Sequence, residues 1–74
     1  MEIKKEYLKI DKIDGPLIFV SGIEKVFYGE IVEISVDNET RTGKVIRIEN
    51  DIIVIQVFEG TSGLSNHNAS IYFT

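Results

Sequence analysis

The chain is short and acidic: it has 74 residues, with 8 Lys and Arg against 12 Asp and Glu, a net charge of −4 and no cysteine. A domain of this size buries only about 60% of the surface that its unfolded chain exposes, so we expect modest stability. The negative charge argues against a nucleic-acid partner, because phosphate backbones attract positive fields. No apolar run approaches the roughly 20 residues that span a bilayer, and no signal segment is recognisable, which predicts a soluble, cytoplasmic protein.

The apolar residues alternate with polar ones in short segments, which is typical of β-strands. Strands are predicted over residues 7–13, 17–20, 30–36, 40–49, 52–58 and 69–73. In the first of them Leu8 and Ile10 share one face, whereas Ile13 falls out of phase and indicates a bulge or the end of the strand. Residues 23–29 are irregular and predict a loop or a short connection.

Turn residues separate these segments. Gly15-Pro16 interrupts the first two strands, because proline has no N–H to donate to a β-ladder. Residues 37–39 and 50–51 consist of Asn, Asp and Glu and predict hairpin turns, since Asn and Asp bond their own backbone and tolerate left-handed angles. The spacing of these turns predicts an all-β fold, a small closed six-stranded barrel, with residues 1–74 as a single domain.

The segment 40–49 is expected to return as the hairpin partner of 30–36. Its alternation places Ile46 and Ile48 inward and Arg47 outward. Gly43 lies inside this predicted strand, where glycine is typical of a bend or bulge that turns a barrel corner.

Residues 59–64 read Glu-Gly-Thr-Ser-Gly-Leu and follow the most apolar predicted strand directly. Gly60 and Gly63 allow backbone angles that are closed to other residues. The strand 52–58 is therefore predicted to end in a tight, specified loop, which we call the glycine loop.

The residue inventory offers little catalytic chemistry. His67 is the single histidine and lies in a polar loop, so a solvated residue is favoured over a metal ligand. Ser62 and Ser65 have no histidine within a motif that could activate them, and turn formation is their simpler role. Carboxylates such as Glu30 and Glu33 fall at strand edges, where charge keeps a surface soluble. We expect no catalytic residue and no metal.

Two binding chemistries are also disfavoured. Gly43-Lys44 is followed by Val45, where a phosphate-binding loop needs Ser or Thr, and no glycine lies five positions before Gly43. We therefore expect no nucleotide site and no cofactor. The aromatic residues are scattered rather than interleaved with Lys and Arg on one sheet face, as a single-strand nucleic-acid reader would require.

Four runs of the sequence carry a family resemblance. They read GPLIFVSGI, YGEIVEI, RTGKVIRIENDIIVIQVFEGTSGL and, at the end, SIYFT. In this order they resemble the N-terminal barrel of the non-catalytic B subunit of archaeal-type and V-type rotary ATPases. The related barrel of the catalytic A subunit typically reads EETAGL in its loop. Here Gly60 follows Glu59, which favours the B type.

The resemblance implies a structural role. In that family, six barrels form a collar at the membrane-distal end of an alternating hexamer of A and B subunits, and the collar holds the ring together while ATP synthesis or hydrolysis is coupled to ion transport. The implied partner is the catalytic A subunit, without nucleic acid and without direct membrane insertion. The implied location is cytoplasmic, within a peripheral membrane complex. The parent subunit's nucleotide-binding and C-terminal domains are absent from this chain, so no catalytic residue is carried over.

Apolar residues that face outward suggest where such a contact lies. In a barrel, successive side chains alternate between interior and exterior. The expected core-facing set in the strand 52–58 is Ile53, Ile55 and Val57. The outward set is then Ile52, Val54, Gln56 and Phe58. A grouped apolar patch usually marks a protein contact, unless the loop 23–29 folds over it with Phe27 and Tyr28. The candidate subunit interface is Leu17, Phe19, Val54, Phe58, Glu59, Gly60 and Thr61.

The alternative to a collar domain is a free-standing small barrel, an adaptor that binds a protein or a small ligand. A nucleotide-binding domain encoded after residue 74 would exclude this alternative. An enzyme is disfavoured by the residue inventory. The isolated domain is expected to be monomeric.

Overall fold

The computed structural model describes residues 10–21, 25–65 and 68–73, together with the backbone of residues 5–7. Seven strands form one antiparallel sheet. They are β1 (Lys5–Tyr7), β2 (Lys12–Asp14), β3 (Leu17–Ser21), β4 (Ile31–Val36), β5 (Glu39–Glu49), β6 (Ile52–Val57) and β7 (Ala69–Phe73). The prediction of an all-β fold is confirmed for the described residues.

The strand order across the sheet is β1-β7-β4-β5-β6-β3-β2. The segment predicted as one strand over 7–13 is divided into two short strands, β1 and β2, and the other five strands correspond one to one to the predicted ones. Its first part pairs with β7 and its last part with β3, so the two parts lie at opposite ends of the strand order. Ile10 lies between β1 and β2 in the sequence and is buried, whereas Leu8 lies outside the described residues. Closure into a barrel stays a prediction.

The remaining five strands begin and end within one residue of the predicted bounds. The turns 15–16, 37–38 and 50–51 join β2 to β3, β4 to β5 and β5 to β6. The first residue of each turn has a positive φ, of 59°, 53° and 58°. Glycine, aspartate and asparagine are the residues that adopt this region at least cost, so the predicted turn chemistry is confirmed.

One hydrophobic cluster forms the core. Its members are Ile10, Ile18, Val20, Val32, Ile34, Val36, Val45, Ile53, Ile55, Val57, Leu64, Ala69, Ile71 and Phe73. Alternate residues of neighbouring strands meet across the sheet, as in the pairs Ile18–Ile55 and Val20–Ile53. Burial of each such side chain stabilises a protein by roughly 1.5–3 kcal/mol, so this cluster is the main source of stability. The predicted core-facing set of β6 is buried and thus confirmed.

Gly43 marks a close approach rather than a bulge. A Cβ at this position would lie 2.7 Å from Cγ2 of Ile55 and 3.2 Å from Cγ2 of Val32. Gly43 pairs with Val32 of β4 on one side and with Val57 of β6 on the other. A side chain at this position would collide with residues of both neighbouring strands.

The bulge of β5 lies between Val45 and Arg47 and makes Ile46 the extra residue. An extra residue interrupts the alternation of faces along a strand. Val45 is buried, Ile46 is half-buried and Ile48 is 42% exposed. The predicted inward placement of Ile46 and Ile48 is therefore wrong, because the alternation was continued through a register shift.

Candidate subunit interface

The antiparallel pairing gives the sheet two ends with different loops. The turns 15–16 and 37–38 and the glycine loop lie at one end, which we call the glycine-loop end. The turn 50–51 lies at the other end. Towards this side β4 begins and β7 ends, at Val32 and Phe73, which lie in the same row across the sheet as Gly43 and Val57. We call this side the β7 end. The candidate interface residues divide between the glycine-loop end and the outer face of β3 and β6.

Hydrogen bonds from β5 hold the start of the glycine loop. The backbone N–H of Phe58 donates to the carbonyl of Thr42 at 2.9 Å. The N–H of Thr42 donates in turn to Oε1 of Glu59 at 2.9 Å, and Nη1 of Arg41 donates to the carbonyl of Gly60 at 3.0 Å. These bonds extend the contact between β5 and β6 beyond the last paired residue of the sheet.

An ion pair orients the arginine that reaches this loop. Oε1 of Glu39 accepts hydrogen bonds from Nε of Arg41 at 2.9 Å and from Nη2 at 2.6 Å. The side chain of Arg41 is 13% exposed, against 60% for Glu39. Because the guanidinium is a rigid planar fork, fixing two of its nitrogens also aims the third, Nη1, at Gly60. Sequence reasoning missed Arg41, since it lies 19 residues from Gly60 and no local pattern links the two.

A second set of bonds joins the glycine loop to the turn between β2 and β3. Oγ1 of Thr61 donates to the carbonyl of Gly15 at 2.6 Å. Next to it, the N–H of Val57 donates to the carbonyl of Pro16 at 2.9 Å. Three segments that are far apart in the sequence are thus tied together at the glycine-loop end.

The glycine loop ends in a buried anchor. Gly60 and Gly63 have φ values of 88° and 84°, which L side chains rarely adopt, so the predicted use of glycine is confirmed. The N–H of Leu64 donates to the carbonyl of Thr61 at 3.0 Å, and the Leu64 side chain joins the core. Nδ2 of Asn68 donates to the carbonyl of Gly63 at 2.9 Å. The loop is specified at both of its ends.

The candidate interface residues differ in exposure. Phe58 is 55% exposed and Glu59 is exposed, whereas Leu17, Phe19, Gly60 and Thr61 are half-buried. Phe19 lies opposite Val54 and opposite Lys12 in the neighbouring strands, so these residues share the outer face. Whether the set forms a subunit contact stays a prediction.

Val54 was expected to be exposed on the outer face. It is only 5% exposed, and it does not belong to the core cluster. Its neighbours across the sheet are Phe19 and Arg47, whose side chains are long enough to shield a valine. The sequence also suggested a cover by the loop 23–29. Phe27 and Tyr28 are 72% and 74% exposed and do not provide one, and residues 22–24 lie outside the described part. Instead, Nζ of Lys12 lies 5.2 Å from the centroid of the Phe19 ring, a cation–π contact.

The remaining sequence candidates concern phosphate, metal and membrane binding. Gly43 and Lys44 lie within β5, where a phosphate-binding loop has no place. Among the described residues, no group of three or more His, Cys, Asp or Glu side chains could hold a metal ion, and His67 is not one of these residues. Within the same described ranges, no helix has the length and apolarity needed to cross a membrane.

The described residues thus form a small all-β domain with one antiparallel sheet and a glycine loop that is hydrogen-bonded to β5. Residues 10–74 match the family model described as ATP synthase alpha/beta family, beta-barrel domain. The chain therefore belongs to the ATP synthase alpha/beta family and corresponds to its N-terminal domain.

Three relatives sharpen this assignment. The chain is 49% identical to V-type ATP synthase beta chain 2 of Clostridium tetani over 73 residues, which is 97% of this chain. It is 49% identical to the A-type ATP synthase B subunit of Methanothrix thermoacetophila and 45% identical to that of Methanopyrus kandleri, in both cases over 71 residues and 95% of this chain. The resemblance to B-type subunits is confirmed.

The chain spans only a small part of these relatives. It covers 16% of the Clostridium protein, 15% of the Methanothrix protein and 7% of the Methanopyrus protein. The similarity therefore concerns a small part of each relative.

Proposed function

We propose that this domain is the collar domain of the non-catalytic B subunit of a V-type or A-type rotary ATPase, and that it holds the alternating ring of A and B subunits together. The observation that carries the proposal is the match of nearly the whole chain to B-type subunits at 45–49% identity. Residues 1–74 then form the first domain of a longer subunit, followed by nucleotide-binding and C-terminal domains. The partner is the catalytic A subunit, and the domain itself performs no catalysis. It works in the cytoplasm as part of a peripheral membrane complex.

We also propose that the sheet closes into a six-stranded barrel. Residues 5–14 form one short segment whose start pairs with β7 through Tyr7 and Ile71 and whose end pairs with β3. Between them, the N–H of Asp11 already donates to the carbonyl of Phe19 at 2.7 Å. If β1 and β2 act as one strand, it joins both ends of the strand order. A closed barrel has no free edge for strand addition, so its neighbours would be bound through side chains and loops.

The glycine-loop end suits a contact that must keep its shape while other parts of the ring move. Phe58 is 55% exposed and is flanked by Glu59, whose carboxylate is fixed on the backbone of Thr42. An aromatic side chain on a rigid support loses little conformational entropy on binding, which is typical of the residues that dominate interface energies. Leu17, on the outer face, is the second candidate anchor.

The test uses the full-length B subunit with its catalytic partner. Phe58→Asp and Leu17→Asp should leave the B subunit folded and weaken assembly of the hexamer by about tenfold or more, since truncation of a central interface residue costs 2 kcal/mol or more. Assembly is measured by native mass spectrometry across a dilution series. Ile52→Asp is the matched control, because Ile52 is also partly exposed on β6 but lies beside the turn 50–51. Wild-type assembly of both interface variants would contradict the proposal.

A further inference from the structure

Two aromatic side chains at the β7 end have no role in the collar contact described above. Phe27 and Tyr28 are 72% and 74% exposed and adjacent in the chain. Ile31, which starts β4, is 50% exposed. Large grouped apolar side chains in water usually mark a contact surface. We call residues 27–30 the aromatic turn.

The aromatic turn is held firmly although its side chains are exposed. The N–H of Glu30 donates to the carbonyl of Phe27 at 3.1 Å, and Oε1 of Glu30 accepts from the N–H of Phe27 at 3.1 Å. Gly29 has a φ of 86°, which lets the chain reverse. The carboxylate and the glycine together lock one conformation.

Backbone bonds then dock this turn on the bulged part of β5. The N–H of Gly29 donates to the carbonyl of Val45 at 2.8 Å, and the N–H of Val45 donates to the carbonyl of Glu30 at 2.9 Å. Val26, just before the turn, packs against the core. The two aromatic rings are thus presented by a preorganised support, and a contact with them needs little further ordering.

The aromatic turn lies next to the point where the chain leaves β7, and this position indicates its contact partner. Phe73, the last residue of β7, pairs with Val32, and Val32 follows Ile31 in β4. Neighbouring strands lie about 4.8 Å apart, so the chain leaves β7 beside the strand that begins just after the aromatic turn. The glycine loop leaves the same row of the sheet in the opposite direction, since Phe58 bonds to Thr42 whereas Gly29 and Glu30 bond to Val45.

We propose that Phe27 and Tyr28 pack against the polypeptide that directly follows residue 74 in the full-length subunit, and that this contact within one chain fixes the direction in which the barrel stands on the next domain. The inference rests on the proposed function, in which this domain is the first part of a longer chain. The matched relatives are much longer than this chain, which covers only 16% of the Clostridium protein, and this supports a further segment after residue 74.

Tethering favours this occupant over a neighbouring subunit. A segment that begins one strand away from the turn has an effective concentration in the millimolar range, whereas a separate subunit must first be recruited. The contact therefore forms in the free subunit, before any hexamer exists. It covers the aromatic turn as soon as the chain has folded.

The test is photo-crosslinking in the full-length B subunit, purified without its catalytic partner. A benzophenone amino acid replaces Tyr28, and the products are separated by mass and mapped by peptide sequencing. The expected product has the mass of one polypeptide and joins position 28 to residues beyond 74. The matched control carries the same group at Phe58, at the glycine-loop end, and should give no such product. A position-28 probe that reacts only within residues 1–74, or only with the catalytic partner when that partner is added, would overturn the proposal.

A second measurement uses no bulky probe. The double variant Phe27→Ser, Tyr28→Ser in the full-length subunit should be cut by a protease in the segment after residue 74 about tenfold faster than the wild type, because that segment loses its contact and opens more often. Phe58→Ser should leave this rate unchanged. Equal cleavage rates in the double variant and the wild type would contradict the inference. If the cleavage rates are equal while the hexamer of the same variant assembles normally, the inference about the aromatic turn fails and the collar proposal is unaffected.

Discussion

The two ends of the sheet hold their loops with different groups: side chains at one end and mainly backbone groups at the other. At the glycine-loop end, side chains bond to backbone groups of distant segments, as Arg41 does to Gly60 and Thr61 to Gly15. At the β7 end, the aromatic turn is held by one local carboxylate and by backbone bonds to Val45 of β5, while its rings are exposed. Loops that are tied across the sequence stabilise the domain itself. Loops that are rigid but uncovered can serve a neighbour without loss of stability.

The same contrast appears within β5, which carries one arginine ion pair towards each end. Nη2 of Arg41 lies 2.6 Å from Oε1 of Glu39, and Nη2 of Arg47 lies 3.1 Å from Oε1 of Glu49. The side chain of Arg41 is 13% exposed, whereas that of Arg47 is 64% exposed. Exposed pairs contribute little, because water screens them and two long side chains must be ordered. The difference in burial separates a structural arginine from a surface one.

The largest effect should follow removal of the anchor of the glycine loop. Leu64→Ala should lower the free energy of unfolding by about 2–4 kcal/mol, because a cavity replaces a side chain that joins the core. Chemical denaturation measures the change. Ile31→Ala is the control at the other end, since Ile31 is 50% exposed and should cost less than about 1 kcal/mol. Equal losses for the two variants would remove the distinction between the two ends.

A medium effect is expected from the arginine of the same loop. Arg41→Ala should cost about 1–3 kcal/mol, because the carbonyl of Gly60 loses a charged donor and Glu39 loses its partner. Arg47→Ala is the matched control and should stay within about 0.5 kcal/mol. Thermal unfolding of both variants at low and at moderate salt makes the comparison. If Arg47→Ala is the more damaging change, the assignment of Arg41 as the structural arginine is wrong.

The smallest effect on stability should come from the aromatic turn. Tyr28→Ser should change the unfolding free energy of this domain by no more than about 0.5 kcal/mol, since a side chain that is 74% exposed adds little to the core. Hydrogen exchange of the β4 amides is the more local measurement and should also stay unchanged. A loss comparable with that of Leu64→Ala would mean that the turn stabilises the domain from within, as the glycine loop does.

The strands and turns could be predicted because their signals are local. Alternation over six residues fixes β4, and a two-residue turn at 50–51 fixes the start of β6. The family resemblance also followed from local runs of letters. In each case the residues that determine the structure lie next to one another.

The sequence-based predictions were wrong where contacts between distant segments determine the structure. The bulge at Ile46 depends on the pairing of β5 with both β4 and β6, and no single residue type in the sequence predicts it. Val54 is 5% exposed although alternation places it on the outer face, and its neighbours Phe19 and Arg47 belong to two other strands. The split of the first strand depends on pairing with β7 at the far end of the chain. The contacts of Arg41 have the same origin.

The pairing of Lys5 with Phe73 also sets an order of events in the making of the protein. The two residues are 73 − 5 = 68 positions apart, so β1 finds its partner only when nearly the whole domain has been synthesised. At ordinary translation rates this takes roughly 4–15 s. Until β7 has been made, β4 lacks its partner on that side, and its backbone groups there form an unpaired strand edge. Of the described strands, β1 is therefore made before all the others but can pair with β7 only after all of them have been made.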